Sequence, residues 1–340
     1  MLICTAYLRL QYEIGERVFT LDSKGLLDID TPCDKIATML DIILKAASYL
    51  IMIAVAYSFK RAGVLTKEHG KALSYICMKF TLPCALIANF SIATPSASLL
   101  WVILIGFAGT MSHLLFGFAF TRNKSREERV LYTSNTGFNI GNFTLPFISS
   151  FSGPMGIITT SLYDAGNGFS LLGINYPIID AVVNKRRGKD LFVQMAKKLF
   201  SSVPFDVYCL MIFLSVLNLS LPGEIVLIAS EIGKGNGPIA MIMIGLLLEL
   251  HFDKRYLKST SIFVASRVAV GLGICFVATQ LSFLPWEAKK AVIIAAWSPI
   301  GSVGPAYTSY LGGDEELAGF VNTISILIAL AVIPTLAIVL

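Results

Sequence analysis

The chain has 340 residues, of which 55% are hydrophobic and 14% are charged. Soluble domains carry about a quarter charged residues, so this composition excludes an ordinary soluble protein and indicates an integral membrane protein. The formal net charge of +5 does not indicate a nucleic-acid partner, because the basic residues lie between apolar segments. The six cysteines form no CxxC pair and the three histidines are scattered, so we expect no metal and no cofactor.

The N-terminal residues 1–38 differ in character from the rest of the chain. They contain only short apolar runs and lack the basic start and long apolar stretch of a signal peptide. We interpret them as a surface tail or an amphipathic segment. Met39 lies at the start of the first long apolar stretch, so translation that begins at Met39 is an alternative.

From there on, apolar stretches long enough to cross a bilayer follow one another. The sequence predicts an all-α integral membrane protein with ten transmembrane helices. The predicted spans are 39–59, 72–93, 97–121, 130–151, 155–183, 199–220, 223–250, 257–282, 287–311 and 315–340.

Lysine and arginine are concentrated in every second loop. The first, third, fifth and seventh loops are basic, and the fifth carries the run KRRGK from Lys185. The even-numbered loops offer only Lys289 and Lys290. Because basic loops stay in the cytoplasm, we expect a multi-pass protein of the cell (plasma) membrane with both termini outside.

The two halves of the chain share a pattern. TLPCALIANFSI in the second span is similar to NGPIAMIMIGLL in the seventh, which aligns Pro83 with Pro238. Each half has five spans, an odd number, so the second copy must be inverted relative to the first. The predicted organisation is a tail at 1–38, a first repeat at 39–183, a basic cytoplasmic linker at 184–198 and a second inverted repeat at 199–340.

The fourth and ninth spans are interrupted by residues that weaken helices. SNTGFNIGNFTLPFISSF, from Ser134, combines amides with glycines and a proline, and SPIGSVGPAYTSY, from Ser298, repeats the glycines and prolines. Proline removes a backbone donor, and unwound backbone at membrane depth needs protein, water or substrate as its partner. The residues concerned are Asn135, Gly137, Asn139, Gly141, Asn142 and Pro146, and Pro299, Gly301, Gly304 and Pro305.

Interrupted spans at matching positions indicate a binding site in an inverted-repeat transporter. The N-termini of half-helices present free N–H groups and a partial positive charge, which favour an anion, and asparagine amides add donors. The alternative is a kinked structural helix whose asparagines join it to its neighbours.

Three motifs resemble one known family. NIGNFTLP is similar to the N-x-G-x-x-x-x-P signature in the fourth span of the auxin efflux carrier family, which includes plant PIN proteins and bacterial organic-acid carriers. PIAMIMIGLLLEL and SPIGSVGPAYTSYLGGDEELAG are similar to its seventh-span and ninth-span patterns. The resemblance covers residues 39–340 and is of the bacterial type. Thr144 and Val303 depart from the usual residues of the family, which bears on the substrate.

The resemblance implies that the spans form two structural groups. Spans one, two, six and seven would form a scaffold, which in this family supports a homodimer. Spans three to five and eight to ten would form a moving transport domain, with spans four and nine crossing at the substrate site.

Ionisable residues inside predicted spans cost free energy in the membrane, and they are therefore candidates for function. Asp164 and Asn167 lie on one helical face, and Arg267 lies within the eighth span. We expect Arg267 to balance a substrate carboxylate or to pair with Asp164. Asp164 would carry a coupling proton or, with Asn167, offer oxygens to a cation. The alternative is a purely structural Asp–Arg pair.

These patterns favour a secondary transporter that moves a small organic anion, a mono- or dicarboxylate, by alternating access and with H⁺ or Na⁺ as a coupling ion. No P-loop is found, and the lack of HExxH and GxSxG motifs argues against an enzyme. The alternatives are a transporter-like sensor without flux and a relative of the bile acid–sodium symporters. The candidate substrate-binding residues are Asn135, Asn139, Gly141, Asn142, Pro146, Pro299, Ser302, Pro305 and Arg267, and those for the coupling ion are Asp164 and Asn167.

Overall fold

The computed structural model describes residues 32–92, 96–184, 193, 196–197, 199–249 and 254–340. The all-α class is confirmed, since these residues form helices joined by turns. The predicted tail up to position 31 and most of the predicted linker 184–198 lie outside this part of the chain. Two compact units are found, Met1–Leu40 and Asp41–Leu340, and all contacts discussed below lie within the second.

The helices of the first half are numbered α1 to α8 in chain order. Three short π-helical turns, Cys77–Thr81, Ile140–Thr144 and Phe169–Asn175, continue directly into the helix that follows each. The helices are α1 (Pro32–Arg61), α2 (Lys67–Ile76), α3 (Leu82–Ile92), α4 (Trp101–Phe120), α5 (Arg126–Ser134), α6 (Leu145–Phe151), α7 (Pro154–Gly168) and α8 (Tyr176–Asn184).

The helices of the second half are numbered α9 to α15. A 3₁₀ turn, Lys254–Tyr256, precedes α12. The helices are α9 (Val203–Val216), α10 (Gly223–Gly233), α11 (Asn236–Leu247), α12 (Leu257–Gln280), α13 (Trp286–Ala295), α14 (Val303–Tyr310) and α15 (Glu315–Val339).

Five of these helical stretches are long and apolar enough to cross a membrane, and α9 is apolar but shorter. Turns interrupt the predicted fourth, seventh and ninth spans, and the ten-span count stays a prediction. The five stretches are Ile43–Arg61, Lys67–Ile92, Trp101–Phe120, Leu257–Gln280 and Glu315–Val339.

The seventh span was predicted as one helix, 223–250, and this was wrong. It is divided at Lys234 and Gly235 into α10 and α11. Pro238 lies in the first turn of α11, where its missing N–H would have no helical partner in any case. Beside this break the Thr81 hydroxyl donates to Asn236 Oδ1 over 2.9 Å, which joins the second span to the seventh.

Two loops at one end of the molecule are held together by an arginine. The Arg126 guanidinium, at the start of α5, donates to the carbonyls of Leu311 (2.8 Å) and Gly312 (3.4 Å) after α14. The third and ninth loops therefore lie side by side. This contact is expected if all odd-numbered loops lie on the same side of the membrane.

Helices α4 and α7 approach each other closely at two glycines. A Cβ on Gly166 would collide with the carbonyl of Ile103, and one on Gly106 would collide with the carbonyl of Tyr163. Both collisions are with backbone, which cannot move aside without separating the helices. The small residues therefore set the distance between α4 and the helix that carries Asp164.

We expect Gly166→Ala to lower the free energy of unfolding by about 1–3 kcal/mol, because overpacking a tight contact forces backbone shifts. Gly319→Ala in α15 is the matched control, since a Cβ there meets no atom within 4 Å. Thermal unfolding in detergent measures both. A Gly166→Ala protein as stable as wild type would show that the α4–α7 distance is not fixed by glycine.

Candidate functional site

The interrupted fourth and ninth spans meet and pair through their backbones. Phe138 and Ile300 form an isolated antiparallel bridge. Asn139 N donates to Pro299 O over 2.8 Å, and Gly301 N donates to Gly137 O over 3.1 Å. These bonds replace helical ones that the breaks have removed, as an environment without water requires. We call this pair of extended segments, 136–139 and 298–301, the crossover.

The side-chain amide of Asn167, in α7, forms hydrogen bonds with the backbone of the crossover. Its Oδ1 accepts from Phe138 N (3.0 Å) and from the Thr110 hydroxyl (2.9 Å). Its Nδ2 donates to Phe138 O (2.9 Å) and to Asp164 Oδ1 (3.0 Å). A primary amide has two lone pairs and two hydrogens, so all four positions are used. Asn167 thus holds the unwound backbone, and its oxygen is not free for a cation.

Arg267 of α12 donates to backbone carbonyls that follow two half-helices. Its guanidinium reaches Ser298 O (3.1 Å), Thr136 O and Gly137 O (both 3.4 Å). It also lies 4.8 Å from the centre of the Phe138 ring. The carbonyls after α5 and α13 lack helical partners and carry partial negative charge. The cation therefore stabilises the C-terminal ends of both half-helices.

The predicted alternative of an Asp164–Arg267 ion pair is not found among the residues that the structure describes. Asp164 is bonded instead to neutral donors, and Arg267 to carbonyls. Arg267 lines a separate cavity of about 30 Å³ together with Ser298 and Ser325. The expected contact of Arg267 with a substrate carboxylate has no support in this geometry.

A cavity of about 80 Å³ lies against the crossover, large enough for several waters or a small polar group. It is lined by residues 139–142 and 301–303, where the second half-helix of each interrupted span begins. The remaining walls come from α7, from the start of α9 and from the turn between α2 and α3. Asp164 and Tyr208 are the ionisable side chains of the described residues that line it.

Three polar side chains of the cavity have unused hydrogen-bonding capacity. Asn142 donates to Met78 Sδ over 3.2 Å, while its Oδ1 is buried without a partner. The Asn139 side-chain amide forms no hydrogen bond within the described ranges, and Ser302 is exposed at the start of α14. These groups are the ones that a ligand in the cavity would meet.

Asp164 has a donor for each carboxylate oxygen. Oδ1 accepts from Asn167, and Oδ2 accepts from the Tyr208 hydroxyl over 2.8 Å. Gly141 lies beside this carboxylate, since a Cβ added there would be 3.2 Å from Oδ2. Sequence reasoning missed Tyr208, although a phenol inside the apolar segment YCLMIFL was a signal that could have identified it.

The other predicted residues lie around the crossover but do not line the cavity. Asn135 donates to Leu131 O (2.9 Å) and to the Thr308 hydroxyl (3.0 Å), which fastens α5 to α14. The remaining three are prolines. Pro146 accepts from the Tyr49 hydroxyl (3.3 Å), Pro299 supplies the carbonyl for Asn139, and Pro305 lies in the first turn of α14.

Comparison with known proteins identifies a family for part of the chain. The model of the family described as Membrane transport protein matches residues 41–196, which contain the interrupted fourth span and Asp164. The resemblance to the auxin efflux carriers is thereby confirmed for residues 41–196, and the matched family is one of transporters rather than enzymes. No curated protein matches the chain. Residues 41–196 therefore match the membrane transport protein family, to which the auxin efflux carriers belong.

Proposed function

We propose that the protein is a secondary transporter that moves a small organic anion, a mono- or dicarboxylate, across the cell membrane by alternating access. The family match supports membrane transport. The observation that carries the substrate class is the meeting of two half-helix N-termini at one cavity that several polar side chains line. The substrate-binding residues of this proposal are Asn139, Gly141, Asn142 and Ser302.

The two half-helices present positive ends to the cavity. One runs without interruption from Ile140 through Phe151, and the other begins at Val303. The first N–H groups of a helix have no internal partner and carry partial positive charge, which favours a carboxylate. The amides of Asn139 and Asn142 offer further hydrogen bonds without adding a charge.

The walls of the cavity support movement of one set of helices against another. Tyr208 and Leu82 belong to the proposed scaffold, whereas Asn139 and Asp164 belong to the proposed transport domain. A second cavity of about 310 Å³ lies between the same two sets and is lined by Ile92 of α3. The first cavity meets α3 at Leu82, whereas the lining of the second runs along α3 from Ala85 to Ile92. Two cavities at different levels of one interface suit alternating access.

Contacts between matching positions of the two halves support the inverted repeat. Thr81 and Asn236 are 155 residues apart and share a hydrogen bond, and Phe138 pairs with Ile300 at the crossover. Ten spans, external termini, a plasma-membrane location and a scaffold-mediated homodimer complete the proposal. Because Asn167 has no free oxygen, H⁺ is favoured over Na⁺ as the coupling ion.

The proposal is tested by uptake of labelled acetate, lactate, malonate and malate into proteoliposomes under imposed pH and Na⁺ gradients. We expect saturable uptake of at least one carboxylate by the wild type. Asn139→Ala is expected to reduce uptake about tenfold or more, because a hydrogen bond to a charged group contributes about 1.5–3 kcal/mol. Asn322→Ala in α15 is the matched control, since this side chain lies outside the cavity.

The outcomes separate the alternatives. Absence of flux for every carboxylate, from wild-type protein shown to be folded, would exclude the organic-anion carrier and favour a sensor. Full uptake by Asn139→Ala would keep the carrier and place its site away from the crossover. The gradient that drives uptake identifies the coupling ion.

A further inference from the structure

The surroundings of Asp164 contain groups of two kinds. The Nδ2 of Asn167, which donates to Oδ1 over 3.0 Å, can only donate hydrogen bonds. The Tyr208 hydroxyl, which donates to Oδ2 over 2.8 Å, can also accept. When the carboxylate takes up a proton, the new O–H needs an acceptor, and of these two partners Tyr208 is the one able to receive its hydrogen bond.

Reversal of this bond would free a donor in the cavity. A phenolic hydrogen lies in the plane of the ring and can point in either of two directions. If Tyr208 accepts from protonated Asp164, its own hydrogen turns away from the carboxyl group. Because Tyr208 lines the cavity beside Asn139 and Asn142, that hydrogen becomes available to a ligand there.

We propose that Tyr208 is a proton-responsive substrate-binding residue, which donates to the substrate carboxylate when Asp164 is protonated and to Asp164 when it is not. The proton comes from the solution to which the cavity opens and is released when Asp164 ionises again. Proton and carboxylate therefore bind together. This inference rests on the proposed transport function and specifies it as proton–carboxylate symport.

The charge distribution in the cavity supports this coupling. The described elements packed around Asp164 contribute no cation and no second carboxylate to the cavity. A substrate anion would be repelled by ionised Asp164, with no lining cation to compensate. Three other ionisable groups, Arg267, His113 and Tyr163, pack on the Phe138 ring and do not line the cavity. Asp206 of α9 and Lys79, which donates to Ser201 O, also lie outside it.

Tyr208 also joins the two proposed moving parts. It belongs to α9 of the scaffold, whereas Asp164 belongs to α7 of the transport domain. Two further side-chain hydrogen bonds across this interface are Tyr49 to Pro146 and Asn142 to Met78, neither of which contains an ionisable carboxyl group. Of these three hydrogen bonds, protonation of a carboxylate therefore alters the one between Tyr208 and Asp164.

The test measures KM for uptake of labelled lactate and malate in proteoliposomes over a range of acidic to alkaline pH. We expect the wild-type KM to fall as the pH falls. Tyr208→Phe removes the switching hydroxyl and is expected to raise KM at acidic pH on the order of tenfold and to weaken its pH dependence, since only the charge of Asp164 still acts on the substrate. Tyr163→Phe is the matched control, because the Tyr163 hydroxyl is buried without a hydrogen-bond partner.

Asp164→Asn provides a second test that does not depend on folding of Tyr208→Phe. An asparagine can accept from Asn167 and donate to Tyr208, so it reproduces the protonated acid. We expect a low KM that no longer varies with pH, and no acceleration of uptake by a pH gradient.

Each result bears on a different claim. A Tyr208→Phe protein with the wild-type KM and pH profile, or an Asp164→Asn protein with the wild-type pH profile, would overturn the switch. Saturable wild-type uptake that does not respond to pH would overturn it while leaving the carrier intact. No wild-type uptake at all would overturn the carrier, and the switch with it.

Discussion

Replacing Asn167 by alanine is expected to lower the free energy of unfolding by about 3–6 kcal/mol and to abolish transport. The substitution leaves the N–H and C=O of Phe138 without partners and removes one donor from Asp164. Each buried polar group left unpaired costs about 1–3 kcal/mol, and no water in the hydrocarbon core replaces the amide. Thermal unfolding in detergent, together with uptake by the same preparation, measures both effects.

Asn322→Ala is the control for this prediction. The Asn322 Oδ1 is buried without a hydrogen-bond partner, so its removal is expected to leave stability unchanged or slightly raised. If Asn167→Ala were as stable as wild type but lost transport, Asn167 would be a ligand of the substrate or ion rather than a support of the crossover. That outcome would restore the cation site predicted from the Asp164–Asn167 spacing.

The sequence predicted the location of the crossover better than the roles of its residues. Glycines and prolines at 137–146 and 299–305 indicate where helices cannot continue, because their effect is local to the backbone. The breaks leave backbone N–H and C=O groups without helical partners. Which side chain forms hydrogen bonds with these groups depends on packing between distant segments. Asn167 is 29 residues from Phe138, and no spacing rule connects them.

Tyr208 illustrates the same limit. Asp164 stands out in the sequence because a carboxylate inside an apolar span is costly. Its partner lies 44 residues further on, in another helix, and resembles any other aromatic residue of a membrane segment. The seventh-span break at Lys234 and Gly235 was missed for a different reason, since its mean composition remains apolar.

The site separates the two kinds of helix end. Residues 139–142 and 301–303, at the starts of half-helices, line the cavity, whereas the carbonyls after α5 and α13 bind Arg267. Arg267 thus binds carbonyls at the ends of the first half-helices, while the starts of the second half-helices face the cavity. The cation neutralises the negative helix ends and leaves the positive ends at the cavity.

Because Arg267 binds these carbonyls, we expect Arg267→Gln to lower the free energy of unfolding by about 3 kcal/mol or more. The substitution removes a charge that donates to three carbonyls from two half-helices, and charge-assisted bonds contribute about 1.5–3 kcal/mol each. The matched control is Arg129→Gln. Its guanidinium also donates to carbonyls, of Thr121 (3.2 Å) and Arg122 (3.0 Å), but at an exposed loop, so we expect a loss below about 1 kcal/mol.

Transport by the surviving Arg267→Gln protein distinguishes the structural role of the arginine from the role predicted by sequence. If Arg267 supports the crossover from outside the cavity, the amount of folded carrier falls while KM for the transported carboxylate stays near the wild-type value. If it binds the substrate, KM rises on the order of tenfold or more while stability changes little. Unfolding curves and KM from one preparation therefore determine whether the charge of Arg267 acts on the backbone or on the substrate.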